Sequence, residues 1–255
     1  MHGDARTLFL HGGPGGSALA ERAMYGRSLP IHWWDQPRSV ALYPRPFGAL
    51  AGAAEAELRL VAQRSGAPVD VVAHAFGAQL ALDLAARMPD RLGRLVLLAP
   101  IGDLGAAFVR LASAVVAHEH GEARLSAAMQ SFLARPDFAR FACLVDEIER
   151  VPAGAALLRG SAPGARPDTR AAAFDRQVFD AVVADAWPTS PRLPRVGVAG
   201  GVRVIFGDRD PLLDIDTEIR RWTAWCPAAC VRVVPSGHFV QLETPATVWW
   251  SPAGG

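Results

Sequence analysis

Short apolar runs alternate with longer stretches of helical periodicity along most of the chain, which predicts parallel strands joined by helices. The predicted strands are Thr7–Leu10, Ile31–Trp34, Val69–Ala73, Leu95–Leu98, Val202–Phe206 and Cys230–Val234. The predicted helices are Ser17–Ser28, Ala53–Arg64, Gly77–Arg87 and Thr217–Trp225. The segment Pro37–Pro46 is rich in proline, so we expect no regular structure there. The pattern indicates an α/β fold with a mostly parallel sheet.

The alternation stops between Ile101 and Pro194, where helical patterns replace strand patterns. Prolines 136, 152, 163 and 167 interrupt this region and predict breaks between its helices. An all-helical insertion between two sheet strands is typical of a lid. We therefore predict a core made of residues 1–100 and 195–255, with residues 101–194 as a helical lid.

Composition narrows the class of protein further. The 255 residues suit one larger α/β domain, and the net charge of +1 offers no broad field to attract nucleic acid or anionic lipid. No apolar run reaches about 18 residues and no signal-peptide pattern is present, so we expect a cytoplasmic protein without a membrane span. The three cysteines lack metal-ligand spacing, and His118–His120 is expected to be a solvated turn. We predict no metal and no cofactor.

The segment Val71–Ala78 follows a buried strand and opens a helix, which is the context of a nucleophile elbow with the pattern Gly-x-Ser-x-Gly. Ala73 and Gly77 supply the small flanking residues, and His74 is frequent at the second position. The central residue, which is the nucleophilic serine in the usual pattern, is Ala75 in this chain. On these residues the chain resembles the α/β-hydrolase superfamily, which implies an α/β-hydrolase fold.

The resemblance continues at the ends of two later strands. Phe206–Asp210 resembles the acid-bearing turn of the superfamily, which implies Asp210 as the acid and leaves Asp208 as the alternative. Gly237 and His238 follow the last strand, and the resemblance implies that His238 is the general base. The order of elbow, acid and histidine is the chain order of these hydrolases.

A glycine-rich turn, His11–Gly16, follows the first strand, at the place of an oxyanion-hole loop. Glycine lets backbone N–H groups approach a developing alkoxide, and we assign the hole to the N–H groups of Gly13 and Phe76. Nucleotide binding is the weaker interpretation, because the Gly-x-Gly-x-x-Gly spacing is absent. The loop resembles that of proline iminopeptidase-like hydrolases, but the elbow and Pro37–Arg38 depart from that subfamily, so peptidase activity is not implied.

A small-molecule substrate is the expected partner. Its predicted binding residues are His11, Gly12, His74, Phe132, Phe141, Phe174 and Trp187. Only six residues precede the first strand, and the chain ends soon after Trp249 and Trp250. We therefore predict a fold shortened at both termini, with exposed sheet edge or apolar surface that could serve a homodimer.

Without an oxygen on Ala75 the chain cannot form an acyl-enzyme, and three explanations remain open. The favoured one is that a serine was deliberately replaced in a hydrolase or acyltransferase of an ester, thioester, lactone or amide. In the second, the alanine is natural, and His238 and Asp210 act as a general base in elimination, cyclisation, decarboxylation or water activation. In the third, the pocket is a non-catalytic receptor, although retention of both residues argues against it.

Overall fold

The computed structural model describes residues 5–119, 122–152, 154, 174–187 and 200–251. Six strands form one parallel sheet in the order β2-β1-β3-β4-β5-β6. They are β1 (Thr7–Leu10), β2 (Ile31–Trp34), β3 (Val69–His74), β4 (Leu92–Leu98), β5 (Val202–Gly207) and β6 (Cys230–Val234). The mostly parallel sheet that the apolar runs predict is confirmed.

Helices connect these strands, as parallel pairing requires. They are α1 (Leu19–Tyr25), α2 (Pro46–Ser65), α3 (Gly77–Arg87), α4 (Leu104–Glu119), α5 (Ala123–Ala134), α6 (Phe138–Arg150), α7 (Arg176–Ala186), α8 (Ile215–Trp225) and α9 (Val240–Glu243). Short 3₁₀ helices lie at Arg38–Leu42, Pro89–Arg91 and Ala246–Val248. No helix in the described ranges is long and apolar enough to cross a membrane.

The four inner strands carry the hydrophobic core. Strand β1 is buried along its whole length, and β3, β4 and β5 are buried at most positions. Strands with both faces covered read as continuous apolar runs, which is why the sequence pattern located them. The two edges are β2 and β6, and β6 leaves Val233 exposed. Whether an edge supports a homodimer stays a prediction.

The largest departure from the predicted bounds lies at the proline-rich segment Pro37–Pro46, whereas the other elements differ from prediction by three residues or fewer at either end. The first half of this segment forms the 3₁₀ helix Arg38–Leu42, and α2 begins at Pro46, seven residues before the predicted start at Ala53. Proline fits the first helical position, because the N–H it lacks would have no partner there. The next N–H, that of Phe47, donates to Asp185 Oδ2 at 3.0 Å, so a side chain from α7 helps to hold the helix start.

The described residues between β4 and β5 include the four helices α4 to α7 and no strand. Pro136 lies between α5 and α6, and Pro152 follows the end of α6, as predicted. Prolines 163 and 167 lie outside the described residues. Aromatic side chains from all four helices and the residue after α7 pack against each other in one cluster: Phe108, Phe132, Phe138, Phe141, Phe179 and Trp187. The role of this helical region as a lid stays a prediction.

Candidate active site

A sharp turn joins β3 to α3, and Ala75 is its central residue. Ala75 has a φ of +48°, in the left-handed region that residues with a Cβ seldom adopt. Its N–H donates to the carbonyl of Leu98 at 2.9 Å, which fixes the turn to the neighbouring strand β4. At Gly77 an added Cβ would lie 2.4 Å from the carbonyl oxygen of Leu10, so the turn needs glycine there. This is the strained strand-to-helix geometry that the elbow pattern predicts.

Two polar residues from separate strand ends meet beside this turn. His238 Nδ1 lies 2.7 Å from Asp210 Oδ2, and Asp210 is only 4% exposed. The other carboxylate oxygen of Asp210 accepts the N–H of Leu212 at 2.8 Å. A carboxylate at this distance accepts a hydrogen bond from Nδ1–H, which leaves Nε2 of a neutral imidazole as the basic atom.

Asp208, the alternative acid, has a different contact. Its Oδ1 accepts the backbone N–H of Ser236 at 3.1 Å, two residues before His238. In return, the N–H of Arg209 donates to the carbonyl of Ser236 at 3.0 Å. The structure therefore brings Asp210, and not Asp208, to the imidazole, and uses Asp208 to tie the β5 turn to the loop that carries His238.

The glycine-rich turn lies beside the elbow, in the wall of one cavity with Ala75. Within the described ranges, the N–H groups of Gly13 and Phe76 have no hydrogen-bond acceptor. An oxyanion hole requires two such donors, and Gly13 and Phe76 both line this cavity. The carbonyl of Gly15 accepts the N–H of Asp175 at 2.7 Å, so the residue that caps α7 also contacts this turn.

His11, predicted to bind substrate, is not among the residues that line this cavity. Its side chain is 2% exposed, and both ring nitrogens face backbone groups. Nδ1 donates to the carbonyl of Gly12 at 3.0 Å, and Nε2 accepts the N–H of Gln36 at 3.1 Å. Burial lowers the pKa of His11 to about 4, with the bond to Gly12 opposing that shift. His11 is thus a neutral support beneath the turn.

The cavity has a volume of about 260 Å³ and mostly apolar walls. Three of the predicted binding residues, Gly12, His74 and Phe174, line it together with Ala75 and His238. The other predicted residues on the helical insertion, Phe132, Phe141 and Trp187, are not among its lining residues. They belong to the aromatic cluster between helices α4 to α7, because helices that pack on one another bury their largest apolar side chains there.

Sequence reasoning left several wall residues out of the predicted site. They are Pro14, Gly16, Ser17, Leu19, Ala20, Glu21, Ile101, Leu104, Val145, Glu149, Leu212, Phe239 and Leu242. Proximity along the chain could have identified some of them. Phe239 follows the histidine directly, and Leu212 lies two residues after Asp210. The wall residues on α4 and α6 could not be identified in this way, since their position depends on how helices α4 to α7 pack.

No group of three His, Cys, Asp or Glu side chains within the described ranges could hold a metal ion. The side chains of His118–His120, which the sequence suggested as a solvated turn, lie outside the described residues.

Solved structures share this architecture at low sequence identity. A proline iminopeptidase-related protein from Thermus thermophilus is 21% identical, with a TM-score of 0.62 over 96% of this chain and 86% of that chain. The 2-hydroxy-6-oxo-6-phenylhexa-2,4-dienoate hydrolase from a Rhodococcus species is 20% identical, with a TM-score of 0.53 over 93% and 85%. A thermophilic esterase from Thermogutta terrifontis is 15% identical, with a TM-score of 0.55 over 95% and 85%. These likenesses show the fold.

No curated protein matches the chain. The family model described as the alpha/beta hydrolase fold matches residues 47–245, which include Ala75, Asp210 and His238. The match spans well over half of the sequence. The chain therefore belongs to the α/β-hydrolase fold family.

Proposed function

We propose that this cavity is an acyl-transfer site of the serine-hydrolase type in which Ala75 occupies the position of the nucleophile. The substrate class is a small molecule with an ester, thioester, lactone or amide bond. The supporting observation is that Ala75, His238 and the N–H donors of Gly13 and Phe76 belong to the wall of one apolar cavity. In its present form the chain binds such a carbonyl compound and forms no acyl-enzyme, because the Ala75 methyl group cannot act as a nucleophile.

With serine at position 75 the same groups would complete the reaction. His238 Nε2 takes the hydroxyl proton as the oxygen bonds to the carbonyl carbon, and the Asp210 carboxylate stabilises the imidazolium. The carbonyl oxygen becomes an alkoxide that accepts the N–H groups of Gly13 and Phe76. The bond to the leaving group breaks as His238 returns the proton to it. Water, activated by the same histidine, then releases the acid and restores the hydroxyl.

A second candidate function uses the chain as it stands. The 2.7 Å contact between His238 and Asp210 does not involve residue 75, so the basic Nε2 is present with alanine there. Such a base can take a proton from water or from a carbon next to a carbonyl group, while the two N–H donors stabilise the resulting oxyanion or enolate. Elimination, cyclisation and decarboxylation belong to this class.

The substitution Ala75→Ser separates the two candidates. The turn already holds the central Cβ, so we expect Ala75→Ser to fold unchanged, to hydrolyse activated esters and thioesters, and to be labelled by a fluorophosphonate probe. The contrast with the present chain should be large, because loss of a triad nucleophile costs roughly a millionfold in a well-studied protease. The matched control is His238→Ala in the Ala75→Ser background, which should lose both turnover and labelling.

Other outcomes identify the alternatives. A folded Ala75→Ser variant without labelling or turnover would refute the acyl-transfer proposal. A non-hydrolytic reaction by the present chain, abolished by His238→Ala, would support the general base instead. Ligand binding without any turnover in both forms would indicate a receptor. Labelling of the present chain at Ser17 or Ser236 would contradict both proposals, because the nucleophile would then lie elsewhere.

A further inference from the structure

His74, the last residue of β3, contacts the segment that carries the histidine base. Its Nε2 lies 3.0 Å from the backbone carbonyl oxygen of His238, a contact that spans 164 residues of sequence. A carbonyl oxygen only accepts, so Nε2 of His74 carries the proton and donates it. The His74 ring is also 4.9 Å, centroid to centroid, from the rings of His238 and Phe239. His74, the residue before Ala75, thus links the elbow to the backbone of His238.

Other contacts hold His238 from different directions. Asp210 fixes the imidazole ring, and the β5 turn is tied to the loop through the N–H of Arg209 and the carbonyl of Ser236. The Glu243 carboxylate accepts the N–H of Gly237 at 2.6 Å, but Glu243 belongs to the same chain segment. It can shape the loop and cannot place it relative to β3. Only the His74 contact, among these, links the base directly to the elbow.

The oxyanion turn packs on the same side chain. A Cβ added at Gly12 would lie 2.6 Å from His74 Nδ1 and 2.9 Å from the Cβ of Ala75. The backbone of the turn therefore lies against the edge of the His74 ring. His74 is buried and touches three segments: its own elbow, the glycine-rich turn and the loop of the base.

We propose that His74 is a positioning residue that sets the distance between His238 and residue 75. The Nε2–H bond fixes the backbone of His238, and the ring of His238 extends from that backbone between two anchors, Asp210 and His74. Without the His74 donor, the loop keeps its ties to β5 and loses its direct tie to β3. The imidazole then moves away from residue 75 while the cavity walls keep their shape. This inference rests in part on the proposed function, since position 75 matters most when it carries a nucleophile.

A matched pair of substitutions tests the role of the donor. His74→Gln places an amide N–H donor near the position of Nε2, whereas His74→Leu has similar bulk and no donor. Val61→Ala, a buried change on α2 that does not line the cavity, is the control for loss of stability alone. The free energy of unfolding of each variant is measured by urea titration. An effect on geometry is assigned to His74 only where it exceeds the effect of Val61→Ala at a similar loss of stability.

The first measurement needs no activity. In the chain with alanine at 75, the nuclear Overhauser effect between the Ala75 methyl group and the His238 ring protons reports their distance. We expect the effect in the unsubstituted chain, in His74→Gln and in Val61→Ala, and its loss in His74→Leu. If His74→Leu keeps it, or if the unsubstituted chain lacks it, the proposal is wrong.

The second measurement is made in the Ala75→Ser background with an activated ester. We expect His74→Leu to lower kcat by up to about 100-fold with little change in KM, because misplacement of a reacting group by about 1 Å costs that much. His74→Gln should restore most of kcat. A rise in KM with unchanged kcat would show that His74 only shapes the cavity. If Ala75→Ser proves inactive, the acyl-transfer proposal fails, and the methyl-to-ring distance still decides the role of His74.

Discussion

The buried His11 predicts a loss of stability in mild acid. Its Nε2 accepts the N–H of Gln36, so protonation at this nitrogen would set two donors against each other in a site closed to water. Burial accordingly lowers the pKa of His11 from 6.5 to about 4. Above pH 6.5 the residue is neutral in both the folded and the unfolded chain, and it contributes its full stabilisation.

The size of the effect follows from that difference in pKa. Between pH 6.5 and about 4 the unfolded chain takes up a proton at His11 and the folded chain does not, so stability falls as the pH falls. Each pKa unit corresponds to about 1.4 kcal/mol, which gives of the order of 3 kcal/mol over the whole interval. Below about pH 4 the folded chain also takes up the proton, and His11 causes no further loss.

The assay is equilibrium unfolding in urea, followed by tryptophan fluorescence, from about pH 7.5 to about pH 4.5. The control is His11→Gln, which does not titrate and can still offer an oxygen to the N–H of Gln36. We expect the unsubstituted chain to lose about 2 to 3 kcal/mol more than His11→Gln across this range. Parallel curves for the two proteins would refute the reasoning, because they would show that His11 titrates alike in the folded and unfolded states.

Two further predictions concern Asp210 and the helices between β4 and β5. In the Ala75→Ser background, Asp210→Asn should lower kcat by about 10⁴-fold with KM little changed, since the amide favours the wrong tautomer of His238. Steady-state ester hydrolysis measures this change. A loss of kcat below about tenfold would remove Asp210 from the acid role. Phe141→Ala should cost about 3 to 5 kcal/mol of unfolding free energy, because Phe141 is fully buried in the aromatic cluster. Its control, Phe174→Ala, should cost far less and should change substrate selectivity instead, since Phe174 is 41% exposed and lines the cavity; equal costs in urea unfolding would contradict this assignment.

Much of the fold could be predicted from the sequence. Short apolar runs located all six strands, and β1, β2 and β6 have the predicted bounds. The small residues of the elbow place the start of α3 at Gly77. The candidate site could also be predicted from the sequence, because each of its central residues closely follows a strand. Carboxyl ends of parallel strands meet at one edge of the sheet, so Ala75, Asp210 and His238 had to come close.

Tertiary packing decided the rest. Helical periodicity shows that each helix between β4 and β5 has an apolar face, but it does not show whether that face meets another helix or the cavity. Phe141 therefore lies in the aromatic cluster, and Phe108 lies both in that cluster and in the cavity wall. Two hydrogen bonds join segments that are far apart in sequence. One runs from the N–H of Gln36 to the buried His11, and the other from His74 to the carbonyl of His238. Such contacts depend on the final distances between strand ends, which no local pattern of residues encodes.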